Sequence, residues 1–339
     1  MHNKHVVAPV DAPSLSAHAA DYDLAGLNGC FGSMDATHIA MECCYHGLQN
    51  LHDGAKLPGP CRTYNIVTNN SRKILDSTSG HPGRWNDKTL VLCHDLIVKL
   101  HGGKIFQDNM FELEEHGLDG RIRKRKYKGA WVITDNGYLN WACTIPPFKE
   151  PVFKSEHDFT KWLESIRKDV ECTFGILKGR FRQLKTGTRL HGIKATYRIW
   201  LTCCAMHNML LDVDGLVEDC RNNGKSDYEG EWGQHSRETV INNLPPPMRE
   251  RFLRHDDSCN LCEIDFSGVG RANDFLLDEE EGNDFPAPSF IPDPNDDSIR
   301  IVSDLERDYF RRKLVENFSI RLSRGEVMWP RSSLSASDH

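Results

Sequence analysis

The first quarter of the chain alternates apolar, often β-branched, positions with polar ones, and turn residues interrupt the pattern at short intervals. A hydrophobic period of two residues is typical of half-buried strands. We predict three strands here, near Gly32–Met41, Thr63–Asn69 and Arg72–Ser79, with a tight turn at Asn69-Asn70 between the last two.

The spacing of apolar residues then changes to that of helices. Asp87 is placed to cap a helix over Lys88–Leu100. The later elements that we predict are a strand at Ala130–Thr134 and long helices over Glu156–Arg182 and Ala195–Leu211. Three strands, a helix, a strand and further helices indicate an α/β fold with a mixed sheet flanked by helices.

Charge divides the chain into two parts. Its 339 residues, of which 39% are hydrophobic, are enough for a sizeable core and about two domains, which excludes a fibrous or wholly disordered protein. The net charge of −7 combines 27 basic and 23 acidic residues over 1–214 with 15 basic and 26 acidic residues over 215–339. We predict a leader over 1–27, a mixed-sheet core over 28–214, an acidic, partly disordered region over 215–300, and a helix and tail over 301–339.

The acidic part has two patterns. Between Gly270 and Arg300, nine carboxylates and four prolines leave too little apolar surface to offset the entropy of ordering the chain, which predicts a disordered linker. Beyond it, Ser303 can cap a helix that needs a surface to dock on. The apolar stripe of that helix consists of Leu305, Tyr309, Phe310, Leu314, Val315 and Phe318.

The twelve cysteines are scattered, and no apolar run is long enough for a secretory leader or a membrane span. We therefore expect a reducing compartment, the nucleus or the cytoplasm, and no membrane partner.

Two aspartates occupy positions that suit chemistry. Asp35 lies inside the first predicted strand, in GSMDATHI (32–39), where a charge among apolar neighbours is costly unless it faces a cleft or a metal. Asp135 follows the WVIT strand, in TDNGY (134–138), at the carboxyl end where open α/β sheets place their sites. Taken alone, Asp35 is more simply explained as a turn or strand-end aspartate, and a tight Asp-Asn-Gly turn explains Asp135 equally well.

Glu171 lies beside the buried face of a predicted helix. That face is formed by Phe159, Leu163, Ile166, Val170, Phe174, Leu177 and Phe181. Arg167, Lys178 and Arg182 project within about 40° of Glu171, as a metal ligand beside a phosphate-binding track would require. A solvated face with an Arg167–Glu171 pair would explain the same charges. Gly175 costs about 1 kcal/mol relative to alanine in a helix, which predicts that something approaches the backbone there.

The three acidic residues are best explained together. Three carboxylates without a partner would repel one another, so their convergence predicts divalent cations between them. Oxygen ligands favour Mg²⁺ or Mn²⁺, and two such ions would support phosphoryl transfer on a nucleic acid.

Three segments carry a resemblance to a known family. GSMDATHI, TDNGY and RKDVECTFGILKGRF (167–181) resemble the signature segments of PIF/Harbinger transposases, including the plant-transposon-protein branch and the Harbinger-derived nucleases. The likeness covers roughly residues 28–214, and it extends to HPGRWND (81–87), CCAMHNML (203–210) and VMWPRS (327–332). The resemblance implies an RNase H-like fold, a triad of Asp35, Asp135 and Glu171, and Mg²⁺-dependent transposase or endonuclease action on DNA in the nucleus.

The chain departs from that family in one respect. Family members carry a sizeable region before the first aspartate that reads terminal repeats, whereas 34 residues precede Asp35 here. We therefore expect a transposon-derived enzyme that lacks its own DNA-reading region and depends on a Myb-like DNA-binding partner. The alternatives are a catalytically silent domesticated protein that binds DNA or another protein, and a decayed fragment that folds poorly.

Two basic segments are candidates for contact with the DNA backbone. The candidate residues are Arg167, Lys178, Arg180, Arg182, Lys185, Arg121, Arg123 and Lys124. The run at 121–128 is explained equally well as a solvated charge run. The acidic region could compete for these cations and so inhibit the enzyme, a hypothesis that deletion of residues 215–339 would test.

Three other features of the sequence predict no chemistry. Cys259 and Cys262, with His255 nearby, lack the second ligand pair that a structural zinc site needs. His207 and His38 are expected to be structural residues.

Overall fold

The computed structural model describes residues 2–213 apart from 45, 55, 58, 118, 119 and 191, together with residues 299–301 and 307–328. The predicted linker up to residue 298, the helix cap at Ser303 and the Cys259–Cys262 pair lie outside the described residues. Within the described part of the chain, none of the helices combines the length and hydropathy that a membrane crossing needs.

The strands are β1 (Cys30–Ala40), β2 (Cys61–Thr68), β3 (Ile74–Ser77), β4 (His81–Pro82), β5 (Met110–His116), β6 (Ile122–Lys128), β7 (Trp131–Ile133), β8 (Thr144–Ile145) and β9 (Ile299–Ile301). The helices are α1 (His2–His5), α2 (Ala12–Leu24), α3 (Gln49–His52), α4 (Asp87–Leu92), α5 (Asp95–His101), α6 (Lys154–Arg180), α7 (Arg182–Thr186), α8 (Ile193–Val213) and α9 (Arg307–Ser323).

The main sheet has the strand order β3-β2-β1-β7-β8, with β4 paired to β2. β1 is antiparallel to β2, and β2 is antiparallel to β3. β1 and β7 are parallel, as are β7 and β8. The sheet therefore consists of an antiparallel meander, β1 to β3, extended at β1 by the parallel strands β7 and β8. The predicted RNase H-like mixed sheet flanked by helices is confirmed.

Alternate side chains of the sheet pack against different helices. Met34 of β1 lies in a cluster with Val91 and Ile97 of α4 and α5. Ile39, on the same strand, packs with Val170 of α6 and with Trp200 of α8. β1 is therefore buried on both sides, so its period-two pattern does not mark a solvent-facing side.

The predicted stripe of α6 is confirmed except at its end. Six of its seven apolar residues are buried, from Phe159 to Leu177. Phe181 instead takes an extended backbone conformation, with φ −113° and ψ 94°, and it is only partly buried. The helix therefore ends at Arg180, and Arg182 begins α7, so the helical projection does not extend to Arg182.

The prediction of one continuous helix over Lys88–Leu100 is wrong. The chain forms α4 and α5, and it turns at His94, whose buried ring has its Nδ1 3.5 Å from Asp76 Oδ2. Asn86 and not Asp87 caps α4, because the Asn86 side chain accepts the Thr89 amide at 2.9 Å.

The basic run at 121–128 forms β6, a strand that the sequence analysis missed. β6 pairs antiparallel with β5 along its whole length and parallel with β9. Tyr127 and Leu113 point from this hairpin into the core, whereas Arg123 and Lys124 are exposed. Arg123 and Arg125 share the face of the buried Tyr127, so cations occupy both faces of β6 and the sequence does not show the alternation of a half-buried strand.

α9 docks on this hairpin and on α6. Leu314 and Phe318 are fully buried, and the Phe318 ring lies 5.7 Å from that of Phe159. Side chains of α9 also cap the free edge of β5, because Asn317 Oδ1 accepts the Glu114 amide at 3.0 Å. Tyr309 is 40% exposed, so its assignment to the buried stripe was wrong.

The residues assigned to a leader also pack on the core. Leu15 and Tyr22 of α2 are buried, and α2 lies against β1. α1 contacts α8, where the Asn208 amide donates to the His5 carbonyl at 2.7 Å.

His207 is a hydrogen-bonded core histidine, as predicted, and it makes the fold sensitive to acid. Its Nε2 donates to the Arg72 carbonyl at 2.9 Å, and burial lowers its pKa to about 4. The unfolded chain binds a proton near pH 6.5, so stability is lost as the pH falls from there toward 4, by up to roughly 3 kcal/mol. We expect His207→Gln to flatten the decline of melting temperature over this range. The exposed His157→Gln should leave the slope unchanged, and equal slopes for His207→Gln and the parent would contradict the assignment.

Candidate active site

β1 carries Asp35 in its middle, opposite Ile66 of β2. The carboxylate is 19% exposed and accepts the Ala36 amide at 2.7 Å. Burial raises the pKa of Asp35 to about 6, the Ala36 amide and Arg167 oppose the rise, and the charges of Asp135 and Glu171 add to it. Asp35 is therefore held in an environment that disfavours its negative charge.

Asp135 reaches the same end of the sheet through β7. Ser33 of β1 is aligned with Ile133 of the parallel β7, and Asp35 and Asp135 each lie two residues beyond this pair. Asp135 Oδ1 accepts the Gly137 amide at 2.8 Å, so the residue also closes the tight turn that its sequence indicated. The turn and the site are two roles of one side chain.

α6 brings Glu171 and Arg167 to Asp35. Arg167 Nη1 lies 3.3 Å from Asp35 Oδ2, and Arg167 Nη2 lies 2.7 Å from Glu171 Oε1. The Arg167 side chain is 20% exposed and that of Glu171 is 48% exposed. The predicted Arg167–Glu171 pair is present, and the same guanidinium joins a β1 carboxylate to an α6 carboxylate.

Asp87 is a further acidic residue here, and the sequence analysis treated it only as a helix cap. A Cβ placed on Gly137 would lie 2.7 Å from Asp87 Oδ2 and 3.0 Å from Asp135 Oδ1. Burial raises the pKa of Asp87, Lys56 opposes the rise, and Asp135 adds to it. The signal in the sequence was the HPGRWND segment, which ends on this residue.

The three candidate ligands are carboxylates, the type of donor that a hard divalent cation prefers. The negative charges of Asp135 and Glu171 act on Asp35, and a cation would relieve this repulsion. Among the described residues, no group of three or more His, Cys, Asp or Glu side chains is arranged as a ready-made metal cluster. Arg167 provides positive charge between Asp35 and Glu171 in this arrangement.

The predicted DNA-contacting cations fall into separate groups. Lys178 donates to the His38 carbonyl at 3.2 Å, and burial lowers the pKa of Lys178. Arg180 is partly buried, and its charge lowers the pKa of His207, so it lies toward the interior. The remaining cations are exposed: Arg182 and Lys185 on α7, and Arg121, Arg123 and Lys124 at β6, with Lys124 Nζ 3.9 Å from Glu112.

The expected close approach at Gly175 is absent. Nothing in the described part of the chain lies within 4 Å of a Cβ built on this residue, which is exposed on α6.

His38 is half-buried, and burial lowers its pKa to about 4, with Lys56 and Lys178 contributing.

Comparison with known proteins identifies the family. The sequence model described as plant transposon protein matches residues 12–218, more than half of the chain. The chain belongs to the plant transposon protein family. The match begins at the first residue of α2 and includes Asp35 of β1, Asp135 just after β7, and Glu171 of α6.

Curated relatives of this family member are distant. It is 26% identical over 200 residues to "Protein ALP1-like" of Arabidopsis thaliana, covering 58% of this chain and 46% of that protein. It is 21% identical over 213 residues to human "Putative nuclease HARBI1", covering 60% of this chain and 52% of that protein. The chain therefore spans about half the length of the curated relatives it matches. No solved structure matches it significantly.

Proposed function

We propose that this chain is a transposon-derived, divalent-metal-dependent endonuclease of the DDE type that cleaves DNA phosphodiester bonds. The observation that carries the proposal is the bridge made by Arg167, which brings Asp35 of β1 and Glu171 of α6 onto one guanidinium. The charge of Asp135 contributes to the raised pKa of Asp35, which supports Asp135 as the third residue of the site. Membership of a transposon protein family and similarity to a relative named as a nuclease support the same chemistry.

The acidic residues and Arg167 would have different roles in the site. Asp35 and Asp135 would hold Mg²⁺ or Mn²⁺, and Glu171 would complete the site. Two such cations, when bound, would activate a water or 3′-hydroxyl nucleophile and stabilise the leaving oxygen. Arg167 compensates the charges of Asp35 and Glu171 and holds both side chains in position.

The exposed cations would position DNA without reading its sequence. Arg182 and Lys185 follow α6 directly, so they suit contact with the phosphate backbone next to Glu171. Such contacts make affinity fall steeply with salt. Sequence specificity and action in the nucleus would then depend on a partner protein with a Myb-like DNA-binding domain.

A second candidate function is a catalytically silent DNA- or protein-binding protein. The bridge favours it as well, because Arg167 already compensates the carboxylates that a metal would need. The two functions differ in their need for a cation.

The test is cleavage of a DNA duplex in Mg²⁺ and in EDTA. We expect cleavage only with Mg²⁺, and a loss of about 100-fold or more in Glu171→Gln and in Asp135→Asn, because each removes the negative charge and one of the two oxygens that would bind the cation. Glu164→Gln is the matched control, since it removes the same charge from an exposed position two turns earlier on α6. Cleavage that persists in both variants would refute the assignment of Asp135 and Glu171 to the site, and DNA binding in EDTA with no cleavage in Mg²⁺ would favour the silent protein.

A further inference from the structure

Asp87 and Asp135 face each other across a glycine. Both Asp87 Oδ2 and Asp135 Oδ1 lie within about 3 Å of the point where a Gly137 Cβ would stand, so they are less than about 6 Å apart. One Mg²⁺ at 2.0–2.1 Å from each ligand spans oxygens up to about 4 Å apart. The two oxygens would therefore have to approach each other by less than about 2 Å to reach one ion.

Gly137 keeps the space between the two carboxylates open. Any other residue would place its Cβ in contact with both oxygens, at distances that real Cβ atoms rarely show. The Gly137 amide meanwhile holds Asp135 Oδ1 at 2.8 Å, which fixes one side of the pair.

Asp87 belongs to the same site as Asp35. Tyr138 is buried beside Gly137, and its hydroxyl donates to Asn65 Oδ1 at 3.4 Å. Burial raises the pKa of Tyr138, and the charges of Asp35, Asp87 and Asp135 each raise it further. The three carboxylates therefore all lie near enough to this hydroxyl for their charges to act on it.

Local structure does not account for Asp87. The capping hydrogen bond of α4 is made by Asn86, so the Asp87 carboxylate is not used for it. Its remaining local role would be a favourable interaction with the helix dipole, which any acidic residue in the first turn supplies. Placing a half-buried carboxylate beside a second carboxylate costs free energy that this small dipole interaction does not explain.

We propose that Asp87 is a fourth acidic residue of the candidate active site and that it holds a divalent cation together with Asp135. The inference rests on the proposed function and adds a ligand to it. Mg²⁺ is commonly held by one or two protein carboxylates, with waters and substrate phosphates as its other ligands, and this pair matches that description.

The test is calorimetric titration of the purified chain with MnCl₂ in the absence of DNA. We expect Asp87→Asn to weaken Mn²⁺ binding at least about tenfold or to remove one ion from the stoichiometry. Asp95→Asn is the matched control, because Asp95 is likewise the first residue of a short helix and its side chain is 76% exposed. It loses the same dipole interaction and should stay within about twofold of the parent.

A second variant keeps the test decisive if Asp87→Asn folds poorly. Gly137→Ala retains both carboxylates but fills the space between them, so it should also weaken Mn²⁺ binding. Melting in EDTA reports folding of each variant independently of the metal. Mn²⁺ affinity within about twofold of the parent in both variants overturns the proposal, as does a parent chain that binds no Mn²⁺.

Failure here is distinguishable from failure of the proposed function. Loss of Mn²⁺ binding in Asp135→Asn with full binding in Asp87→Asn overturns the role of Asp87 alone. Cleavage that survives EDTA and the triad substitutions overturns the proposed function itself.

Discussion

Asp35→Asn should lower Mg²⁺-dependent cleavage by about 1000-fold or more, while melting temperature in EDTA at pH 8 stays at or above that of the parent. Asparagine keeps the shape of the side chain but removes the charge that would hold the cation. A 1000-fold loss corresponds to about 4 kcal/mol of transition-state stabilisation.

The expected gain in stability follows from the surroundings of Asp35. Burial, opposed by the Ala36 amide and Arg167 and reinforced by Asp135 and Glu171, raises its pKa to about 6 in the folded chain. The unfolded chain ionises near 3.8, so folding becomes less favourable as the pH rises from about 4 to 6, by up to roughly 3 kcal/mol, and this cost persists above pH 6. Asparagine avoids the cost, so the difference between the two proteins should vanish near pH 4.

Cleavage assays and melting curves from pH 4 to 8 measure both effects. Asp95→Asn, at an exposed position, should change neither. A variant that loses cleavage and also melts well below the parent in EDTA would show that Asp35 is needed for folding, and the loss of cleavage would then carry no evidence for metal binding.

A chain that ends at residue 298 should fail to fold cooperatively. The truncation removes β9 and α9, and with α9 the buried side chains of Phe310, Leu314, Val315 and Phe318. At 1.5–3 kcal/mol for each buried side chain, the loss is on the order of 8 kcal/mol, comparable to the whole stability of a domain. It also uncovers Tyr127 and Phe159 and opens the edge of β5 to other chains.

Point variants in α9 show whether the loss of stability comes from lost packing and not from shortening the chain. Phe318→Ala removes a fully buried ring and should cost about 3–5 kcal/mol, whereas Tyr309→Ala, at a 40% exposed position of the same helix, should cost far less. Denaturant titration followed by tryptophan fluorescence gives both values. A truncated chain that melts cooperatively within a few degrees of the parent would show that the docking of α9 is unimportant.

The docking of α9 changes how the role of the acidic region must be examined. Deletion of residues 215–339 would remove α9 together with the acidic residues, so any change in DNA affinity would be confounded by loss of the core. Charge-neutralising substitutions between residues 278 and 297 leave α9 intact and address competition for the basic residues directly.

The sequence determined those features that depend on local pattern. The alternation in β1 predicted a strand, and the stripe on α6 predicted the buried face of that helix, because a side chain's face is set by the period of its own element. Asp35, Asp135 and Glu171 could be named before the fold was known because each lies in a short segment with a distinct residue pattern. The same reasoning predicted that His207 is a core residue.

Tertiary structure alone decided which of these faces and side chains meet. β6 gave no strand signal because cations occupy both of its faces, and the sequence could not show the partner of α9 because its docking surface comes from β5, β6 and α6. The bridge of Arg167 to Asp35 and the meeting of Asp87 with Asp135 join segments far apart in the chain. Such contacts depend on how sheet and helix pack. That packing is determined by the burial of the whole core, and the spacing of apolar residues within one element does not predict it.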